Sequence, residues 1–216
     1  MRGIYDWINE YGTRYFVFLY SANEFFGELH SSEEGEVKWT KEFTEVHMML
    51  RLRPYKACDA QTITKWLKSE YAFRQWSADR YETYPITPED MNLYYDRDKN
   101  NDKIWGMTAF DDTGIIGHFT MRFPGNDNLN EIRLGFVIVD DEKRGQGYGK
   151  EMISLAVQYA FDFIKVKKIS LGVFENNSAA IECYKSCGFK IVTLENAESY
   201  HCMGEVWNCM EMELVK

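Results

Sequence analysis

Residues 144–150, Arg-Gly-Gln-Gly-Tyr-Gly-Lys, alternate three glycines with larger residues between the apolar run LGFVIV and the helical pattern MISLAVQYAFDFI. Alternating Gly145, Gly147 and Gly149 keep side chains out of the turn, so several backbone N–H groups can converge on one anion where the helix begins. A phosphate or pyrophosphate suits that geometry, and Arg144 and Lys150 add positive charge. A Walker loop requires G-x-x-x-x-G-K-[ST], but Lys150 is followed by Glu151 and Arg144 stands at the upstream glycine position. A dinucleotide turn requires G-x-G-x-x-G, and the spacing here is G-x-G-x-G. A structural turn without a ligand is the plain alternative.

A second constellation lies in ENNSAAIECYKSCGF. Asn177 is placed to cap a helix over 178–186 that Gly188 ends. Tyr184 sits on that helix with Ala180, Ile181, Cys183 and Cys187 as apolar company. Its hydroxyl, with an ordinary pKa near 10, is protonated at neutral pH and can supply a proton, whereas a merely packed ring would use only its apolar body. His118 is polar among apolar strand neighbours and reads as a hydrogen-bonded structural histidine.

The elements that must hold these residues can be read from periodicity and turn chemistry. MMLRLRPY, just after His47, alternates as a first strand. Asp59 is placed to cap a helix carrying Ile63, Trp66 and Leu67, and Thr87-Pro88-Glu89-Asp90 opens another with proline at its first position. Strands follow over 103–110 and 115–123, joined by Asp-Asp-Thr-Gly as a hairpin, and a third over 131–139. After the glycine turn come a long helix over 148–164, a strand over 168–174, the helix over 178–186 and two last strands. Earlier, 14–20 and 35–39 read as strands of a small leading segment.

The 216 residues are 45% hydrophobic, enough for one full core and a small second element. The net charge of -9 argues against nucleic acid or an anionic membrane as main partner, since both demand a basic surface. Five scattered cysteines lack paired metal-ligand spacing, so no metal is expected. No apolar run nears the roughly 18 residues of a membrane span, and the first residues lack a signal-peptide pattern; a cytoplasmic location is expected.

Arg144, Gly147 and Gly149, then Asn177, Ala180, Tyr184, Gly188 and Phe189, together resemble the GNAT superfamily of N-acetyltransferases, over residues 47–216. The resemblance implies an α/β (α+β) mixed sheet, mostly antiparallel and flanked by helices, whose fourth and fifth strands splay apart. It implies acetyl-CoA as cosubstrate, its pantetheine arm along Val137, Ile138 and Val139. Its pyrophosphate would rest on the turn of Arg144, Gly145, Gln146, Gly147, Tyr148, Gly149 and Lys150, with Asn177 capping the next helix or bonding the arm. Tyr184 corresponds to the proton donor, and the Val139 amide to the group that polarises the thioester carbonyl. Some family members carry a glutamate base where this chain has Gly172; Glu131, Glu175 or a water chain are the substitutes. The acceptor, a primary amine of a small molecule or a protein N-terminus, would be enclosed by residues 72–86, with Trp76, Tyr81 and Tyr84, and by 195–203. A non-catalytic acyl-CoA sensor is the alternative of a different class.

Residues 1–46 carry Tyr5-Asp6-Trp7, Gly12, YFVFLY, Gly27-Glu28-Leu29 and Glu34-Gly35-Glu36-Val37-Lys38-Trp39, and resemble the part of a Nudix hydrolase after its catalytic box. The run of a Nudix helix, a glycine, a glutamate and an Arg-Glu followed by the paired glutamates that hold the metal, does not occur, and Glu33, Glu34 and Glu36 read as a solvated turn. The segment is expected to be a β-hairpin extension that packs on the transferase domain or on a second subunit of a homodimer.

Overall fold

The computed structural model describes residues 3–8, 14–19, 50–125, 128–193 and 198–216. The chain divides into two compact units, Met1–Val46 and His47–Lys216. In the first, β1 (Gly3–Ile8) and β2 (Arg14–Leu19) pair antiparallel from Gly3↔Leu19 to Ile8↔Arg14. The strand expected over 35–39 lies outside the described residues.

The second unit opens with β3 (Arg51–Pro54). A 3-10 turn, the single α-turn α1 (Ala60–Ile63) and another 3-10 turn follow. Next come α2 (Glu70–Ser77), whose Ser69 cap accepts from the Ala72 amide, and α3 (Pro88–Asp96), with a Thr87–Asp90 capping box. Then come β4 (Ile104–Asp111), β5 (Gly114–Arg122), β6 (Glu131–Val139), α4 (Tyr148–Gln158), which widens into a π-helical segment over Tyr159–Ile164, β7 (Lys168–Phe174) and α5 (Ser178–Ser186). Three strands close the chain, β8 (Lys190–Val192), β9 (Ser199–Cys202) and β10 (Glu205–Val215). Two differences from the sequence reading stand out. Residues 72–77, expected within a connection over 72–86, belong to a helix, and β9 and β10 form a hairpin through Met203 (φ 54°) and Gly204 (φ 79°), both in the left-handed region that tight two-residue hairpin turns require.

The sheet runs β3-β4-β5-β6-β7-β10-β8, with β9 on β10. Every pairing is antiparallel except β6 with β7. One core joins Phe119, Met121, Ile132, Leu134 and Leu171 to Met152, Ile153 and Ala156 of α4. A second joins Ile63, Trp66, Phe73 and Met91 of the early helices to Ile138. Ile138 shares the even numbering of Ile132 and Leu134 yet lies in the other core. A bulge explains this: between the pairs Thr120↔Gly135 and His118↔Ile138, β6 has one residue more than β5. The extra residue reverses the alternation of side chains beyond it.

Candidate active site

The bulge falls at Phe136, whose φ of 48° is left-handed for a non-glycine residue. Trp76 of α2 holds it there, its indole Nε1 donating to the Phe136 carbonyl at 2.8 Å with the two rings edge to face at 5.0 Å. Parallel pairing of β6 with β7 runs from Glu131↔Lys168 only to Leu134↔Leu171. Beyond Leu134 the strands part, although β6 continues to Val139 and β7 to Phe174.

The Asp140 amide donates to Ile116 of β5 at 2.9 Å. In an extended strand alternate residues turn their polar groups to opposite sides, so the Val139 amide and carbonyl face the gap. Its carbonyl there accepts from Arg144 Nε at 3.2 Å. The gap is a cavity of about 610 Å³ lined by Val137, Ile138 and Val139 on one side and by Asn177, Ala180 and Tyr184 on the other.

One end of this cavity is the glycine turn. Gly145 (φ 76°) and Gly147 (φ 92°) occupy left-handed backbone with open space where a Cβ would project. Gly147 is the N-cap of α4, and having no side chain it satisfies none of the first-turn amides itself. Arg144, Gly145, Gly147, Gly149 and Lys150 all line the cavity. A Cβ at Gly149 would meet Cys183 Sγ of α5 at 3.4 Å, an ordinary van der Waals contact. Two of the expected residues turn their side chains to other partners: Gln146 donates to the Glu142 carbonyl at 3.0 Å, and the Tyr148 ring packs on the core beneath Lys143 Nζ at 5.5 Å.

Asn177 caps α5, its side chain accepting from the Ala180 amide at 3.2 Å, and so aims the helix that carries Tyr184. Tyr184 is 6% exposed. Burial, then the neighbouring Cys183 and Cys187, push its pKa above the ordinary tyrosine value. No described residue hydrogen-bonds to its hydroxyl.

Tyr184 also lines a second cavity, of about 690 Å³. The two share Gln75, Trp76, Val137, Asn177, Ala180 and Tyr184, so Tyr184 stands where they meet. Gln75 bridges the rim by donating to the Asn176 carbonyl at 3.1 Å. The polar lining of the second cavity includes Thr120, Arg133 and Glu211, with the exposed Arg122.

Gly172 explains part of that lining. A Cβ there would meet Cys209 Sγ at 2.9 Å and Arg133 Nη2 at 3.0 Å. The room left by the missing side chain holds the guanidinium, which Glu211, opposite Gly172 on β10, grips with both oxygens. Burial works against the Arg133 charge, but the Glu211 hydrogen bond and charge prevail and raise its pKa.

Glu131 and Glu175 are engaged elsewhere. Glu131 accepts from Ser170 at 2.6 Å and pairs with Lys168 at 3.0 Å, and Glu175 accepts from Asn208 at 3.1 Å. Neither lines either of these two cavities. Tyr81 and Tyr84 pack in the second core, so of the three aromatics expected around the acceptor only Trp76 lines the cavities. From the later segment Glu198 and Tyr200 line the second cavity, while 195–197 lie outside the described residues. His118 is buried against Tyr95, Nε2 to Oη 2.7 Å. Arg122, Arg133 and Glu211 were not anticipated, because each reaches the second cavity through strand register that local sequence does not display.

The model of the Acetyltransferase (GNAT) family matches residues 63–189, more than half of the chain. The N-acetyltransferase 9-like protein of Caenorhabditis briggsae is 22% identical over 156 residues, covering 68% of this chain and 77% of that protein. The spermine/spermidine N(1)-acetyltransferase of Bacillus subtilis is 29% identical over 103 residues, 46% of this chain and 58% of that one. Among solved structures, spermidine N-acetyltransferase from Vibrio cholerae, in complex with CoA and spermine, superposes with a TM-score of 0.65 at 20% identity, covering 77% of this chain and 95% of that one. Splayed strands, a glycine turn at a helix start and a family match spanning both place the chain in the GNAT acetyltransferase family, as an acetyl-CoA-dependent N-acetyltransferase.

Proposed function

We propose that the first cavity takes acetyl-CoA, that the second takes a primary amine of a small molecule or a protein N-terminus, and that Tyr184 is the general acid. The position of Tyr184 where the two cavities meet, its hydroxyl without a partner among the described residues, carries this reading.

The open first-turn amides of α4, with Arg144 and Lys150, suit the pyrophosphate. The unpaired stretch Val137, Ile138 and Val139 suits the amide-bearing pantetheine arm. The Val139 amide is the donor for the thioester oxygen, on the pattern of an oxyanion hole. In the transfer the amine nitrogen bonds to the carbonyl carbon, the carbon–sulfur bond breaks, and the sulfur takes the Tyr184 proton. A tyrosine whose pKa is raised keeps that proton through the neutral range. Of the carboxylates in the acceptor cavity, Glu211 is held by Arg133 and Glu198 accepts from Tyr200 Oη at 2.7 Å. We therefore assign loss of the amine proton to water in that cavity.

Residues 1–46 we read as a structural Nudix-like segment preceding the domain formed by 47–216, one that performs no metal-dependent pyrophosphate hydrolysis because the run of a glycine, a glutamate and an Arg-Glu followed by paired glutamates does not occur in it. Incubating the purified chain with labelled acetyl-CoA and an amine library tests the main reading. Label should pass to an amine in the native chain and pass far more slowly in Tyr184→Phe; equal transfer by both removes Tyr184 from the chemistry.

A further inference from the structure

Three arginines, Arg80, Arg122 and Arg133, reach the second cavity against two glutamates, Glu198 and Glu211. Two of the arginines are matched. Arg133 has Glu211, and Arg80 pairs with Asp79 at 2.9 Å. Arg122 is directly opposite Arg133 across the β5–β6 ladder, and among the described residues no carboxylate bonds to it. Like charges facing each other across a ladder are destabilising. Partial burial, then the Arg133 and Arg80 charges, lower the Arg122 pKa against the opposing charges of Tyr94 and Glu198. The second cavity therefore carries an exposed guanidinium to which no described carboxylate is hydrogen-bonded, and on which Glu198 of the same cavity acts only through its charge.

Resting on the transferase reading above, we propose that the acceptor bears a carboxylate as well as its primary amine, and that Arg122 grips this carboxylate while the amine lies at Tyr184. Arg133, the cross-strand neighbour of Arg122, stands four residues along β6 from Val137 in the wall shared by the two cavities, a separation of at most about 13 Å, which the bulge at Phe136 shortens. That spacing favours an acceptor more than one residue long, such as a peptide whose N-terminus is followed closely by acidic side chains. A polyamine, the substrate named for the relatives from Bacillus and Vibrio, brings the wrong sign to this position. Arginine recognises a carboxylate through two parallel N–H donors, which sets direction as well as charge.

The test uses the full chain, acetyl-CoA and four acceptors: an alanyl-glutamyl-glutamate peptide with an amidated C-terminus, its amidated alanyl-glutaminyl-glutamine analogue, free glutamate, and spermine. CoA release reads turnover, and calorimetric titration of the peptides in the presence of CoA reads binding. The acidic peptide should exceed the glutamine analogue by about tenfold or more in kcat/KM and in affinity, the scale of a charged hydrogen bond. Arg122→Gln should abolish this preference and Arg122→Lys should retain part of it. A preference shown by free glutamate instead of the peptide would identify an amino acid as the carboxylate source. Equal binding of the two peptides, a preference for spermine, or a preference that survives in Arg122→Gln overturns the proposal. Retained preference in binding with no turnover of any amine would overturn the transferase reading alone.

Discussion

The indole nitrogen of Trp76 lies 2.8 Å from the carbonyl oxygen of Phe136, so a helix residue pins the one left-handed residue of β6. Removing the donor leaves that carbonyl unpaired in a half-buried aromatic cluster. Trp76→Phe should cost about 1–3 kcal/mol of unfolding free energy, read from urea denaturation. Because Trp76 lines both cavities, acetyl-CoA affinity should fall as well. Undiminished affinity would show that the gap keeps its shape without the indole bond.

Tyr184→Phe keeps the ring and deletes the proton. Turnover should drop by about 10²-fold or more, the usual scale of general acid catalysis, while acetyl-CoA affinity stays within a few-fold. Single-turnover kinetics with the true acceptor, so that the chemical step is observed, provide the check. A purely packed tyrosine would instead leave turnover in place and shift only stability.

Gly147 and Gly204 form a matched pair for testing the anion site. Both have positive φ, 92° and 79°, and both have open space where a Cβ would go. Alanine at either position should cost about 1 kcal/mol of backbone strain. Only Gly147→Ala should also weaken acetyl-CoA binding, by about an order of magnitude, because only Gly147 lines the cofactor cavity. Calorimetric titration of the two variants side by side separates strain from crowding of the pyrophosphate.

His118 should govern stability in mild acid. Burial pushes its pKa down to about 3 against the opposing charge of Asp59. A folded-state pKa below the unfolded value of about 6.5 means that the unfolded chain takes up the proton first. The contribution is therefore complete above about pH 6.5 and declines as pH falls toward 3, with a limiting slope of about 1.4 kcal/mol per pH unit. Asp59 acts in the same direction but lower. Its carboxylate is also buried, yet the Arg53, Lys56 and Thr108 hydrogen bonds hold it below its ordinary value, so its loss begins only near that value. Denaturation midpoints between pH 7 and 4 should fall in the native chain and flatten in His118→Gln.

The glycine turn, Asn177 and Tyr184 were legible because each depends on residues a few positions apart. The strands over 131–139 and 168–174 were legible because apolar content and turn residues mark both ends. The bulge was not, since Phe136 carries no sign in its type that it adopts positive φ; Trp76, sixty residues away, holds it there. Glu211 stayed hidden because it depends on which residue of β10 falls opposite Gly172, and pairing across thirty-nine residues is set by the whole sheet. Residues 72–77 read as part of a connection over 72–86, yet a Ser69 cap and the packing of Phe73 in the second core make them helical.

The parting of β6 and β7 after Leu134 and Leu171 also has a thermodynamic meaning. A sheet that ends one of its ladders in mid-course leaves its last hydrogen bonds to be made by whatever extended molecule enters. Binding and folding then become linked quantities, since a ligand that occupies only the native state raises unfolding free energy by about 2.7 kcal/mol at a hundredfold excess over its Kd. The melting temperature should accordingly climb with the concentration of acetyl-CoA, making the lifetime of the native state a gauge of cosubstrate supply.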